Sequence, residues 1–272
     1  MNAFCLAADD ATAAPVTDNS IPAATLIVMR ERADLPPELL MVERTAGMAF
    51  AGGAMVFPGG RIDDGDRALA AGLAEAEAAA RIAAIRETLE ETGIAVGLTP
   101  GPDQQLAARL QEELHAGTPF RALLAGNGLA FDLANLTPFA RWKPAFHQAR
   151  IFDTFFFLAE APVGDWRPHP QAGECEAVEW LSAADVIGRI ALGQASAIFP
   201  TVRNLERLAQ FGSIAAARAD ALAHPIATIT PWVADHDGEP HVVIPEGFGY
   251  PVTREPLASV QRGVGEGAFP TA

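Results

Sequence analysis

An α/β fold is predicted for this 272-residue chain by three features. Short β-branched and aromatic runs are bounded by Pro and Gly, one long proline-free stretch is rich in Ala, Glu, Arg and Leu, and strand-like and helix-like segments follow one another along the sequence.

Residues 22–30 and 39–43 read as adjacent strands, with the polar stretch 31–38 and its Pro36-Pro37 pair as the loop between them. A further apolar run at 54–57 stops at Pro58-Gly59-Gly60, where a sharp turn belongs. Residues 68–92 read as one long helix, or as a short helix followed by a longer one, with Gly93 suitably placed to end it. Stretches 103–115 and 120–124 look like an inserted helical hairpin. Strand character returns at 139–142, is strongest at 152–159, and recurs at 177–181. Ser182 then suits the N-cap of a helix over 183–192, and 200–211 and 214–223 are also helical. Segments 226–232 and 241–244 read as short strands before a Gly- and Pro-rich tail. The predicted organisation is a loose tail at 1–20 and a single domain at 21–272. That domain carries a helical insertion at about 101–126 and a C-terminal helical extension at about 183–272, within the usual size range of one elaborated domain.

The net charge is −15 and lysine is almost absent, which argues against nucleic acid or an anionic membrane as partner, since both require clustered Lys and Arg. No apolar run approaches the roughly 18 residues of a membrane span. The first residues lack a basic leader and soon meet Asp9 and Asp10, unlike a secretory signal. With two cysteines, Cys5 and Cys175, neither a disulfide framework nor a cysteine zinc site is supported, and a cytoplasmic setting is expected. An enzyme of this charge that acts on an anion needs bound divalent cations and a few placed arginines.

On a helical wheel Glu87, Glu90 and Glu91 share an arc of about 100°, while Ala78, Ile82, Ile85 and Leu89 lie opposite. One face is predicted core and the other a cluster of acids. Like charges so spaced cost roughly 0.2–0.5 kcal/mol per pair unless a cation satisfies them. Mg²⁺, which takes oxygen ligands from one or two carboxylates, substrate phosphates and water, would do so. A bare Glu-x-x-Glu-Glu is usually a solvated helix face. Here Arg86 precedes the acids, Gly93-Ile94 follows them, and a Gly-Gly turn lies upstream of the helix.

Gly60, with Arg86-Glu87-Thr88-Leu89-Glu90-Glu91-Thr92-Gly93-Ile94, resembles the Nudix box: Gly, five residues, Glu, seven residues, then Arg-Glu-aliphatic-x-Glu-Glu-x-Gly-aliphatic. Thr88 stands at the first aliphatic position. The box, at 59–94, is about a dozen residues longer than the consensus. Eight residues before Arg86 stands Ala78, so Glu77 is the nearest substitute for the upstream glutamate, with Glu75 less well placed. The resemblance implies an α/β/α sandwich around a mixed sheet and a Mg²⁺- or Mn²⁺-dependent pyrophosphohydrolase. Glu87 and Glu91 would be the principal metal ligands, Glu90 a further ligand or water orienter, and the Gly59 carbonyl a backbone ligand. Arg86 would orient a glutamate. A further acid or general base is expected beyond the box, with Glu174 favoured over Glu176 and Glu179.

Residues 39–44, 55–60 and 150–158 together are similar to the coenzyme A diphosphatase-like branch, which implies cleavage of coenzyme A or acyl-CoA to 3′,5′-ADP and a phosphopantetheine fragment. That branch's dedicated signature matches in part, with Ala51 and Gly52 at its basic and histidine positions. Arg44, Arg61, Arg141 and Arg150 are candidate phosphate contacts, Arg44 and Arg150 first among them. The alternatives are an ADP-ribose or dinucleotide pyrophosphatase and a non-catalytic nucleotide-sensing protein, which the intact acids disfavour. The helical segments at 103–124 and 183–223 could serve as a lid or as a homodimer interface.

Overall fold

The structure, a computed structural model, describes residues 19–47, 51–144 and 151–264, with side chains described as far as Val260. The predicted tail therefore falls almost wholly outside the described residues. In chain order the elements are β1 (Ile21–Arg32), β2 (Leu35–Arg44), β3 (Met55–Val56), β4 (Gly59–Arg61), α1 (Asp64–Ala70), α2 (Ala78–Thr92) and β5 (Leu98–Thr99). Next come α3 (Gln104–His115), α4 (Phe120–Asn127), β6 (Ala130–Phe131), a 3₁₀ turn at Leu133–Asn135, β7 (Thr137–Trp142), β8 (Phe152–Glu160) and β9 (Cys175–Ser182). The chain continues with α5 (Ala183–Ala191), α6 (Phe199–Leu208), α7 (Ile214–Ala223), β10 (Thr228–Ile229), β11 (Trp232–His236), β12 (Glu239–Val243), β13 (Arg254–Pro256) and α8 (Leu257–Val264).

Two expectations are corrected. The loop predicted at 31–38 shrinks to a tight turn at Ala33-Asp34, with Asp34 in the left-handed region at φ 58°. Pro36 and Pro37 are tolerated inside β2 because pairing with β9 begins only at Glu38. Glu38 fastens the hairpin, accepting from Arg30 Nε at 2.6 Å and lying 3.0 Å from Arg32 Nη1. The tail expected after residue 244 contains β13 and α8, where Leu257 and Val260 are buried. The helical stretch before Gly93 takes the second of its two predicted forms, a short helix and then a longer one.

The main sheet runs β10-β7-β8-β1-β2-β3, with β4 also paired to β1 and β9 to β2. It is mixed: β1 and β8 are parallel, as are β7 and β10, while β2 and β4 are antiparallel to β1. Alternation along β1 sends Ala24, Leu26 and Val28 into one core and Ile27 and Met29 into the other. The first core is closed by α2, α3 and α4, the second by α5, α6, α7 and α8. These are the three layers of the expected sandwich. Among the described residues no helix is long and apolar enough to cross a membrane.

On α2, Ala78, Ile82, Ile85 and Leu89 are buried, as the wheel predicts. The buried Arg81 fixes the start of this helix by donating to the carbonyls of Ala76 at 3.0 Å, Leu133 at 2.9 Å and Leu136. Its guanidinium also lies 4.9 Å from the Phe157 ring. On the opposite face the C-terminal extension is tied to β7. Trp142 Nε1 donates to the Tyr250 hydroxyl at 2.9 Å, and that hydroxyl donates to Asn204 Oδ1 at 2.8 Å.

Candidate active site

The Pro58-Gly59-Gly60 turn becomes β4 and docks on β1, Thr25 opposite Gly59 and Ala24 opposite Gly60. This lays the turn over the acidic face of α2. The Gly59 N–H donates to Glu91 Oε2 at 3.0 Å, and a Cβ at Gly60 would land on the Glu87 carboxyl group. A side chain there would displace that carboxylate. Thr88, the box's departure from an aliphatic residue, is fully buried and donates its hydroxyl to the Ala84 carbonyl at 2.7 Å, so it offers the core a methyl group.

The far end of α2 closes at Gly93, whose left-handed φ of 70° lets its N–H bond the Leu89 carbonyl. Gln111 of α3 donates to the carbonyls of Glu90 and His169 at 3.0 and 2.9 Å. The inserted hairpin thus buttresses α2, and none of its described residues lines the cleft. The N–H groups of His169 and Gln171 bond the carbonyls of Thr92 and Glu91, which brings Gln171 and Glu174 to the cleft.

Arg86 holds the acids together. Its Nη1 lies 2.9 Å from Glu87 Oε1 and 3.3 Å from Glu90 Oε2, while Nε and Nη2 bind both oxygens of Asp66 at 3.0 and 2.9 Å. Asp66 is 1% exposed and also accepts from the Asp63 N–H. This corrects the upstream-acid expectation: Glu77 is an exposed residue in left-handed conformation at the N-cap of α2. Asp66 follows Gly60 by the five-residue spacing of the box pattern, so the extra residues all lie between Asp66 and Arg86. Counting forward from Gly60, with Asp admitted for Glu, finds it. Counting back from Arg86 does not.

Burial and repulsion from Glu90, only partly offset by Arg86, push the Glu87 carboxyl up to about 7. Burial and the neighbouring Glu87 push Glu91 up to about 8, despite the Gly59 N–H and Arg44. Burial alone would lower Arg86, but the Asp66 hydrogen bonds and the charges of Glu87, Asp66 and Asp63 outweigh it and hold the guanidinium above its usual range.

These groups line a cleft of about 520 Å³. Of the residues predicted from sequence, it brings together Gly59, Arg86, Glu87, Glu90, Glu91, Glu174 and Arg44, the last with Nη1 3.9 Å from Glu91 Oε1. Exposed Arg61 stands at the rim. Arg141 is instead held by Asp153 at 2.8 and 2.7 Å, and Glu179 by Arg189. Glu176 does not line the cleft, and Arg150 lies outside the described residues. The lining also includes apolar residues, Val56, Phe57, Trp142, Phe152 and Phe156, and the extension adds Ile198, Pro200 and Thr201. No sequence signal marks those last three.

Among the described residues no three His, Cys, Asp or Glu side chains gather closely enough to hold a metal unaided. The donor set nonetheless fits Mg²⁺ or Mn²⁺, which needs only one or two protein carboxylates with substrate oxygens and water, and Glu87 and Glu91 are acids crowded enough to favour a cation. A pH dependence follows. In the folded, metal-free protein the two stay protonated up to about 7 and 8, but their ordinary value is 4.5. The stability they contribute is complete below about 4.5 and is lost as pH rises through 7 and 8, by ~1.4 kcal/mol per pH unit per group. Melting curves in EDTA are expected to fall from pH 5 to pH 8, and excess MgCl₂ to flatten that fall. The same pH slope with and without Mg²⁺ would contradict it.

The sequence profile of the NUDIX domain matches residues 20–200. Among solved structures, a NUDIX hydrolase from Alicyclobacillus acidocaldarius is 32% identical, with a TM-score of 0.66, over 74% of this chain and 96% of its own. The NUDIX domain of Shewanella oneidensis NrtR, solved with ADP ribose, is 14% identical over 70% of this chain and 86% of its own, with a TM-score of 0.41. No curated protein sequence matches the chain.

Proposed function

We propose, for a chain that belongs to the NUDIX domain family of pyrophosphohydrolases, metal-dependent hydrolysis of the diphosphate linkage of a nucleoside-diphosphate-linked substrate, with coenzyme A or acyl-CoA as first candidate. The observation that carries this reading is the buried pair Glu87 and Glu91 under the Gly59-Gly60 turn, at the base of a cleft large enough for a small nucleotide.

Glu87 and Glu91, with Glu90 and the Gly59 carbonyl, would hold the cation. When bound, it neutralises charge on the diphosphate and lowers the pKa of water. Arg86, anchored on Asp66, keeps Glu87 and Glu90 in position. Arg44 contributes positive charge beside Glu91. Glu174, exposed at the cleft, is suited to take the proton of the attacking water. Water's oxygen bonds to one phosphorus, the bridging P–O bond breaks, and the bridging oxygen leaves with its electron pair. Coenzyme A specificity rests on the resemblance over residues 39–44, 55–60 and 150–158, and the apolar lining residues suit a substrate with a nonpolar portion. The reading includes a reducing, cytoplasmic setting, consistent with the buried free thiol of Cys175.

The test is a panel of coenzyme A, acyl-CoA, ADP-ribose, NADH and diadenosine polyphosphates with Mg²⁺ and with EDTA, products identified by mass. Coenzyme A is expected to give 3′,5′-ADP only with metal. Cleavage of another member alone would keep the reaction and discard the branch, and no turnover of any member with Mg²⁺, or with Mn²⁺ in its place, would leave a nucleotide-sensing role.

A further inference from the structure

The N-terminal end of α6 abuts the cleft, where Ile198, Pro200 and Thr201 are all lining residues. Ile198 is the N-cap residue, and no side chain caps this end. Pro200 has no N–H, and the Val202 N–H already bonds the Ile198 carbonyl. The Thr201 amide therefore belongs to the first turn, where no intrahelical acceptor exists. Such an end carries a partial positive charge and is suited to an anion.

The Thr201 side chain supplies an independent observation. The residue is 2% exposed, yet its hydroxyl has no hydrogen-bond partner among the described residues. Nor is it one of the fully enclosed polar atoms left unpaired. Thr201 is itself one of the residues that line the cleft. Ile198, Pro200, Trp142 and Phe156 line the same cleft, and an apolar lining strengthens any hydrogen bond made there. Arg86, which also lines the cleft, is committed to Asp63, Asp66, Glu87 and Glu90. A diphosphate seated with one end at the acids and their metal needs donors for its other charged oxygens.

We propose that the Thr201 hydroxyl and amide, at the open end of α6, form a donor subsite for an anionic oxygen of the substrate's second phosphoryl group. This rests on the diphosphate reading of the cleft. It makes the chain beyond residue 200, outside the matched family region, part of the substrate site.

The test is calorimetric titration of wild type, Thr201→Val and Thr201→Ser with the non-hydrolysable α,β-methylene-ADP in Mg²⁺, alongside Mn²⁺ titrations without nucleotide. Valine keeps the shape and removes the hydroxyl. Thr201→Val is expected to weaken analogue binding by about tenfold, and Thr201→Ser to stay within about twofold of wild type. Mn²⁺ binding is expected to be the same in all three. Equal analogue binding by wild type and Thr201→Val overturns the subsite and leaves the diphosphate reading intact. A parallel loss of Mn²⁺ binding in Thr201→Val overturns it as well, because the effect would then lie at the acids. No binding by any of the three sinks the diphosphate reading and the subsite with it.

Discussion

Glu91→Gln is expected to cut kcat by roughly 10³-fold or more while making the metal-free protein more stable at pH 8. The first effect follows from the proposed role of Glu91 as ligand to a cation worth several kcal/mol of transition-state charge, at about 1.4 kcal/mol per tenfold in rate. The second follows from burial. Glu91 is 4% exposed and faces Glu87, so its ionisation is opposed by desolvation and by a like charge, and glutamine removes both costs. The amide oxygen can still accept from the Gly59 N–H, the contact Glu91 makes at 3.0 Å. The measurement pairs kcat in Mg²⁺ with melting in EDTA at pH 8. A variant within tenfold of wild-type turnover would remove Glu91 from the catalytic centre, and one that melts earlier would show that its charge is stabilised without metal.

Asp66→Asn is expected to weaken activation by Mg²⁺ by about 10–100-fold, the size of effect seen when a residue supporting metal ligands is removed. Asp66 takes two of the Arg86 hydrogen bonds on its own two oxygens. Without that anchor the guanidinium is left to Glu87, Glu90 and Asp63 and competes with the cation for the first two. Breaking one arm of a buried ion pair also costs stability, on the order of 3 kcal/mol. Mg²⁺ titration of turnover, with Glu77→Gln as comparison, decides the point. Asp66→Asn must shift the activation constant and Glu77→Gln must leave it alone. The reverse pattern would return the upstream role to Glu77.

The strands that carry the core were legible because period-2 alternation is set by burial on two faces, and Ile27 and Met29 against Leu26 and Val28 show it. The hairpin turn was misplaced because Pro36-Pro37 reads as a breaker by local preference, and only the sheet's pairing pattern shows a position that needs no donor. Ser182 was legible as a cap because its hydroxyl acts locally, accepting from the Asp185 N–H. The acids of α2 were legible because helical spacing alone puts them on one face. Asp66 is legible only to a count forward from Gly60, because the inserted segment breaks the count back from Arg86. Ile198, Pro200 and Thr201 carry no chemical signature, and their position depends on how the extension packs against β7 and Trp142.

The segment between Asp66 and Arg86 has a consequence for how the enzyme tolerates change. Its two ends are joined by a buried ion pair, and residues 71–77 between α1 and α2 are all exposed. Chain length there is decoupled from the chemistry: doubling such a flexible connection adds only about 0.6 kcal/mol of closure entropy. A foreign peptide spliced in near Leu73 would ride outside the catalytic assembly. The enzyme thus has a natural grafting port a few residues from its most constrained side chains.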